Sequence, residues 1–149
     1  MEWKGVMPAI TTCFDEDLNI DHAFTAKHVK WLVENGCTGI VCNGSLGEGA
    51  ALTFDEKIAL WTTCVDAVGD KVPVVAAIAA LSTADAVAQA KAAEKAGCRG
   101  LMVLPPYVYR GDWREMKFHL AEIFNATSLS CMLYNNPIAY GTDFLPEHI

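Results

Sequence analysis

Residues 36–41 read Gly36-Cys37-Thr38-Gly39-Ile40-Val41, and residues 97–102 repeat this pattern as Gly97-Cys98-Arg99-Gly100-Leu101-Met102. In each copy a glycine ends a helical stretch, and a tight turn leads into an apolar run typical of a buried strand. The copies lie about 60 residues apart, which is the length of two βα units of about 30 residues each. The repeat therefore predicts a parallel sheet built from regular βα units.

The rest of the chain alternates apolar runs with amphipathic stretches in the same way. The runs are nearly continuous, as expected for strands covered on both faces. The predicted strands are Val6–Thr11, Gly39–Asn43, Val72–Ile78, Gly100–Leu104 and Leu129–Tyr134. The predicted helices begin with the pairs Thr53/Glu56, Ser82/Asp85 and Asp112/Glu115, each spaced as in a capping box, and the first helix covers about Asp21–Asn35. Pro146 is placed to begin a further helix.

Each predicted helix carries an apolar stripe that we expect to face the core. The stripes are Phe24, Trp31 and Leu32; Ile58, Trp61, Val65 and Val68; Ala86, Ala90 and Ala93; and Trp113, Met116, Leu120 and Ile123.

Composition excludes several classes of function. The chain has 149 residues, a net charge of −7 and no basic cluster, which argues against nucleic-acid and anionic-membrane partners. No apolar run reaches the roughly 18–20 residues that span a bilayer, and residues 1–5 do not resemble a signal peptide, so we expect a cytoplasmic protein. We expect Cys37, Cys42, Cys98 and Cys131 to be reduced residues in or beside buried strands. No Cys or His spacing predicts a metal site.

Two architectures fit five βα units: an open, doubly wound five-stranded sheet, or the first part of an eight-stranded (β/α)8 barrel. Length favours the open sheet, because a complete barrel needs about 250 residues. In both architectures functional groups gather at the carboxyl ends of the strands.

Three predicted strand ends carry residues suited to chemistry. The second strand continues into Asn43-Gly44-Ser45-Leu46-Gly47-Glu48-Gly49, whose amides and Ser45 hydroxyl can hold a carboxylate, unless the loop binds no ligand. Tyr107 follows the fourth strand and Tyr134 the fifth. A tyrosine at such a position either anchors packing or transfers protons, and proton transfer requires a partner that holds its hydroxyl.

In their order and spacing these motifs resemble the dihydrodipicolinate synthase/N-acetylneuraminate lyase family. The resemblance rests on Gly-Ser-x-Gly-Glu at residues 44–48, Pro-x-Tyr and Tyr-Asn-x-Pro after the fourth and fifth strands, and Gly5-x-x-Pro8-Ala9-x-Thr11 near the start. It covers essentially the whole chain. It implies an α/β fold of the TIM (β/α)8 class, with residues 1–149 forming the N-terminal part of one barrel domain that stops before the sixth strand.

The same resemblance implies a class I lyase or aldolase that forms a Schiff base with pyruvate or another 2-oxo acid, without a metal or organic cofactor. By position, Tyr134 would be the proton shuttle, and Ser45 would lie in a hydroxyl relay that Tyr107 completes by reaching into a neighbouring subunit. Gly44, Ser45, Leu46 and Gly47 would bind the substrate carboxylate. Relatives of this kind are homotetramers, built as dimers of dimers.

Three departures from the family pattern qualify these expectations. The family's imine-forming lysine belongs to the sixth strand, and none of the eight lysines here is predicted at an inward strand end. Leu46 replaces a second hydroxyl residue. Ile138-Ala139-Tyr140-Gly141 lacks the arginine that holds a second substrate carboxylate in the synthases, which favours a lyase or dehydratase for a hydroxylated 2-oxo acid. The alternatives are an inactive half-barrel and a stand-alone α/β binding or scaffolding domain.

Overall fold

Four strands form one parallel sheet in a computed structural model that describes residues 1–148. The strands are β1 (Ile40–Cys42), β2 (Val74–Ile78), β3 (Gly100–Val103) and β4 (Ser130–Leu133), and they neighbour one another in chain order. Val41 pairs with Val75, and Met102 pairs with Met132. β1–β4 lie inside the second to fifth predicted strands, respectively, so the parallel βα arrangement is confirmed.

Four long helices alternate with the strands: α1 (His22–Glu34), α2 (Phe54–Val68), α3 (Thr83–Lys95) and α4 (Trp113–Asn125). Their predicted starts are confirmed. The Thr53/Glu56 and Asp112/Glu115 capping boxes are complete, and the Ser82 hydroxyl accepts from the Asp85 amide at 3.1 Å. Each cap satisfies helix amides that otherwise have no partner, so local sequence alone determines where these helices begin.

The predicted first strand, Val6–Thr11, is reduced to a single parallel bridge between Ala9 and Val41. The Ile10 amide donates to the Val41 carbonyl, and the Val41 amide donates to the Pro8 carbonyl, both at 3.0 Å. Pro8 has no amide hydrogen, so a regular ladder cannot continue through it. The segment lies beside β1 as predicted, but it is not a regular strand.

The predicted helix at Pro146 is a three-residue 3₁₀ turn, Pro146–His148. A short helix that was not predicted, α5 (Pro137–Tyr140), directly follows the strand-end motif of β4. The Asn136 side chain caps α5 by accepting from the Ala139 amide at 3.2 Å. A capping asparagine followed by a proline is the signal that could have revealed this helix.

Different segments pack on the two faces of the sheet, and this difference distinguishes the open doubly wound sheet from the barrel. On one face, alternate strand residues such as Ile40, Val74 and Ala76 pack in a single core with buried residues of α1–α4. On the other face, Val41, Val75, Ala77, Met102 and Leu104 form a second cluster, whose remaining members lie outside α1–α4. A doubly wound sheet carries helices on both faces, so that alternative is wrong, whereas one helical layer is the barrel arrangement.

The apolar stripes of α2, α3 and α4 face the core as predicted. The predicted stripe of α1 is confirmed at Leu32, which packs against the core, and is wrong at Phe24 and Trp31. Phe24 is 53% exposed and Trp31 is 58% exposed, whereas Thr25 and Val29 are buried. Two apolar faces compete on this helix, and the face containing Val29 packs into the core.

The glycines that begin the two sequence repeats share one backbone conformation, with φ of +94° at Gly36 and +90° at Gly97. We expect Gly36→Ala to cost roughly 1–2 kcal/mol of unfolding free energy, because an L-residue is strained there while its Cβ would meet nothing within 4 Å. Gly97→Ala should cost more, since its Cβ would lie 3.0 Å from Val65. Urea denaturation of both variants measures this, and equal losses would contradict the account.

Candidate active site

The loop after β1 is anchored by the buried side chain of Asn43. Its Nδ2 donates to the Ala77 carbonyl at 2.8 Å, and its Oδ1 accepts from the Trp61 indole N–H at 2.6 Å. Asn43 has φ of +49°, a left-handed conformation that asparagine tolerates better than most residues. The side chain therefore ties the start of the loop to both β2 and α2.

Gly47 holds the far side of this loop against the N-terminal segment. The Thr12 hydroxyl donates to the Gly47 carbonyl at 2.6 Å, and a Cβ at Gly47 would come within 2.8 Å of the Ile10 carbonyl oxygen. No larger residue fits without moving backbone. The result is a compact turn whose intervening residues are presented at the carboxyl end of the sheet.

A cavity of about 290 Å³ opens at this end of the sheet. It is lined by Asn43, Gly44, Ser45, Glu48, Ala50, Ala51, Ala79, Leu104, Tyr107 and Tyr140. These residues come from the segments that follow β1, β2 and β3, and from α5. The cavity thus lies where parallel βα folds place their ligands.

The structure brings three of the predicted site residues to this cavity: Gly44, Ser45 and Tyr107. Tyr140 also lines the cavity, although it was not predicted as a site residue. Its hydroxyl is hydrogen-bonded to the Ser45 hydroxyl. Tyr107 is half-buried on the same cavity. Three hydroxyl-bearing residues, Ser45, Tyr107 and Tyr140, therefore line one cavity.

The other predicted residues lie close by, but not among the lining residues. Tyr134 follows β4 and packs edge-on against Tyr140, with ring centroids 6.2 Å apart. Its hydroxyl has one long contact, from Asn136 Nδ2 at 3.5 Å. Leu46 is 74% exposed, and Gly47 is buried within the loop.

A second cavity, of about 370 Å³, shares Ala50, Ala79 and Tyr107 with the first and contains the one buried lysine among the described residues, Lys57. Burial lowers the pKa of the Lys57 ammonium, and the nearby Asp85 carboxylate opposes this shift. The burial of Lys57 was not predicted, although Lys57 is four residues before Trp61 on the inner stripe of α2. Residues four apart lie on the same face of a helix, so this spacing could have indicated that Lys57 is buried.

The cysteines of the core are free thiols. Cys42, Cys64 and Cys98 are buried, whereas Cys37 and Cys131 are half-buried. Burial raises the pKa of Cys98 to about 12, which makes this thiol a poor nucleophile. Within residues 1–148 no three His, Cys, Asp or Glu side chains are grouped to hold a metal ion, and no helix is long and apolar enough to cross a membrane.

A family model described as the dihydrodipicolinate synthetase family matches residues 2–149. The chain belongs to this family. It is 37% identical to the 4-hydroxy-tetrahydrodipicolinate synthase of Desulforamulus reducens over 149 residues, covering all of this chain and 50% of the relative. It is 38% identical to a probable 5-dehydro-4-deoxyglucarate dehydratase of Pseudarthrobacter chlorophenolicus over 140 residues, covering 94% of this chain and 46% of the relative.

Solved structures of the dihydrodipicolinate synthase family give the same result for the fold. A dihydrodipicolinate synthase from Bacillus anthracis superimposes with a TM-score of 0.92 at 34% identity, covering 96% of this chain and 49% of that one. YagE from E. coli, solved in complex with pyruvate, superimposes with a TM-score of 0.94 at 27% identity, covering 98% and 49%. The chain spans about half the length of the relatives it matches, and the prediction of a partial (β/α)8 barrel is confirmed.

Proposed function

We propose that the chain forms the N-terminal half of a lyase that joins pyruvate or a related 2-oxo acid to a lysine as a Schiff base. The observation that carries this proposal is the cavity at the strand ends, which Ser45, Tyr107 and Tyr140 line in a member of this family. A protonated imine withdraws electrons, so that the adjacent carbon can lose a proton or break a bond.

We propose the following roles for the site. Gly44, Ser45, Leu46 and Gly47 form the loop that binds the substrate carboxylate, with the Leu46 amide replacing the missing side-chain hydroxyl. The Gly47 amide instead donates to the Gly44 carbonyl at 3.0 Å and closes the turn. Ser45 and Tyr107 carry the proton relay, and Tyr134 is the proton shuttle beside the imine. The long contact at the Tyr134 hydroxyl supports this role, since the group can still bond to a substrate.

We place the imine-forming lysine in the second half of the barrel, outside this chain, and expect these residues alone to be inactive. The four βα units form part of one barrel domain that a longer polypeptide or a separate chain completes. β4 is half-buried along its length, whereas β1–β3 are fully buried, which is expected of a strand without its next neighbour. This exposure makes a stand-alone binding or scaffolding domain the weaker alternative.

The substrate we favour is a hydroxylated 2-oxo acid that loses water or breaks a carbon–carbon bond. No lysine, arginine or histidine is among the residues lining the Ser45 cavity, and α5 presents Ile138, Ala139 and Tyr140 where a cation would be needed for a second carboxylate. The similarity to the probable dehydratase supports the same choice.

We also propose a cytoplasmic homo-oligomer, a dimer of dimers at full length. The thiols in the core support a reducing compartment. Large apolar side chains are exposed in the segments that follow all four strands, at Leu46, Leu81, Val108 and Ile138, and these support assembly through this end of the sheet.

Proton NMR of the full-length protein in D₂O tests the proposed chemistry. We expect enzyme-dependent exchange of the pyruvate methyl protons, consumption of at least one hydroxylated 2-oxo acid, and no condensation of pyruvate with aspartate semialdehyde. Boiled protein is the control for spontaneous exchange. Absence of both exchange and consumption would refute the lyase, whereas condensation would refute only the substrate choice.

A further inference from the structure

The hydroxyl groups of Ser45 and Tyr140 meet although the two residues are 95 positions apart in sequence. Ser45 stands in the loop after β1, and Tyr140 is the last residue of α5, beyond β4. The contact therefore links the two outermost strand ends of the sheet across the cavity. It lies within one chain, unlike a relay that Tyr107 completes from a neighbouring subunit.

Several independent features hold Tyr140 in this position. The Tyr140 amide donates to the Asn136 carbonyl at 3.0 Å, and the Asn136 side chain caps the same short helix. The Tyr140 ring packs on the apolar cluster of the open sheet face and lies edge-on to Tyr134. The ring is thus fixed by packing, and its hydroxyl is delivered to Ser45.

The hydrogen bond between the Ser45 and Tyr140 hydroxyls leaves one of their two protons available. Serine and tyrosine hydroxyls each carry one proton, and one of the two is used in the bond between them. The other can be donated to a substrate oxygen or passed on. Without Tyr140 the Ser45 hydroxyl would rotate freely, because it has no other hydrogen-bond partner among the described residues.

We propose that Tyr140 is the positioning residue for Ser45, so that the hydroxyl relay of this active site begins within a single chain. The inference rests on the proposed function, because it assigns Ser45 a part in proton transfer. Tyr140 fixes the direction of the Ser45 hydroxyl and makes no covalent contribution. The Tyr107 of the same chain also lines this cavity, whereas the Tyr107 expected to complete the relay belongs to a neighbouring subunit.

A double-mutant cycle in the full-length protein tests this assignment. We expect Tyr140→Phe, which removes only the hydroxyl, to lower kcat about tenfold while KM changes less than about twofold. The yield of pyruvate adduct trapped by borohydride should not change. In a Ser45→Ala background, Tyr140→Phe should have no further effect, because its partner is already absent.

Tyr109→Phe is the matched control, since Tyr109 is exposed and its hydroxyl bonds to Glu115 away from the cavity. Tyr109→Phe should leave kcat, KM and the yield of trapped adduct unchanged. An unchanged kcat in Tyr140→Phe, or independent losses in the double variant, would overturn the proposal. Thermal melting of each variant identifies any loss that comes from unfolding.

NMR of protein labelled at the tyrosine Cζ carbon separates this inference from the proposed function. Tyr140→Phe identifies the Tyr140 resonance, and Ser45→Ala should then shift that resonance while leaving the Tyr109 resonance in place. An unmoved Tyr140 signal would overturn the pairing. If the wild-type protein neither traps nor turns over any 2-oxo acid, the proposed function fails, and the Cζ shift still decides whether Tyr140 holds Ser45.

Discussion

Tyr134→Phe in the full-length protein is expected to lower turnover by about 10²–10⁴-fold, the usual contribution of a positioned proton-transfer group. The variant keeps the ring, so the half-buried packing against Tyr140 is preserved. It loses only a hydroxyl that has a single long contact, at 3.5 Å from Asn136. Imine formation with pyruvate should survive, because the amine and not the phenol makes the covalent bond.

Two measurements distinguish a loss of proton transfer from a loss of substrate binding or imine formation. Steady-state turnover and the borohydride-trapped adduct are compared in wild type, Tyr134→Phe and the exposed control Tyr109→Phe. Unchanged turnover in Tyr134→Phe removes Tyr134 from the mechanism. Loss of the adduct together with turnover would instead give Tyr134 a role in binding or imine formation.

Asn43→Leu should be the most destabilising single change at the site, with a loss of about 3–5 kcal/mol of unfolding free energy. It leaves the buried indole N–H of Trp61 without an acceptor and removes the donor to the Ala77 carbonyl. It also places leucine in a left-handed conformation, at φ of +49°. The loop that carries Ser45 would lose its anchor, so activity should fall with stability.

Urea denaturation measures this loss, and two variants test its cause. Trp61→Phe removes the indole donor together with part of a fully buried ring, so its loss includes a packing contribution. The double variant should cost less than the sum of the two, because the residues share one hydrogen bond. Asn125→Leu, at the exposed end of α4, should change stability by at most about 0.5 kcal/mol. An equal loss in Asn125→Leu would contradict the anchoring role of Asn43.

The parts of the fold that depend on local interactions could be predicted from the sequence. The capping box of Thr53 and Glu56 is a contact over three residues, and it is present. The repeated glycines at 36 and 97 both have positive φ, as a helix-ending turn requires. The barrel class, in contrast, was implied by the resemblance of the ordered strand-end motifs to a known family, since length alone favoured the open sheet.

The parts that depend on packing between distant segments could not be predicted in the same way. Phe24 and Trp31 have helical spacing, but which of the two apolar faces of α1 is buried depends on the position of α2. Lys57 looks like a surface residue until its place on the inner stripe of α2 is counted. The pairing of Ser45 with Tyr140 depends on how the first and last strands of the sheet are placed relative to each other.

The central claim is that this chain supplies the cavity and the hydroxyl groups of a Schiff-base lyase, while the lysine lies in the other half of the barrel. Treating the full-length protein with pyruvate and borohydride, followed by intact mass and peptide mapping, tests this claim most directly. We expect one pyruvate-derived adduct, on a lysine outside residues 1–149. An adduct on a lysine of this chain, with the buried Lys57 as the first to inspect, or no adduct at all, would contradict it.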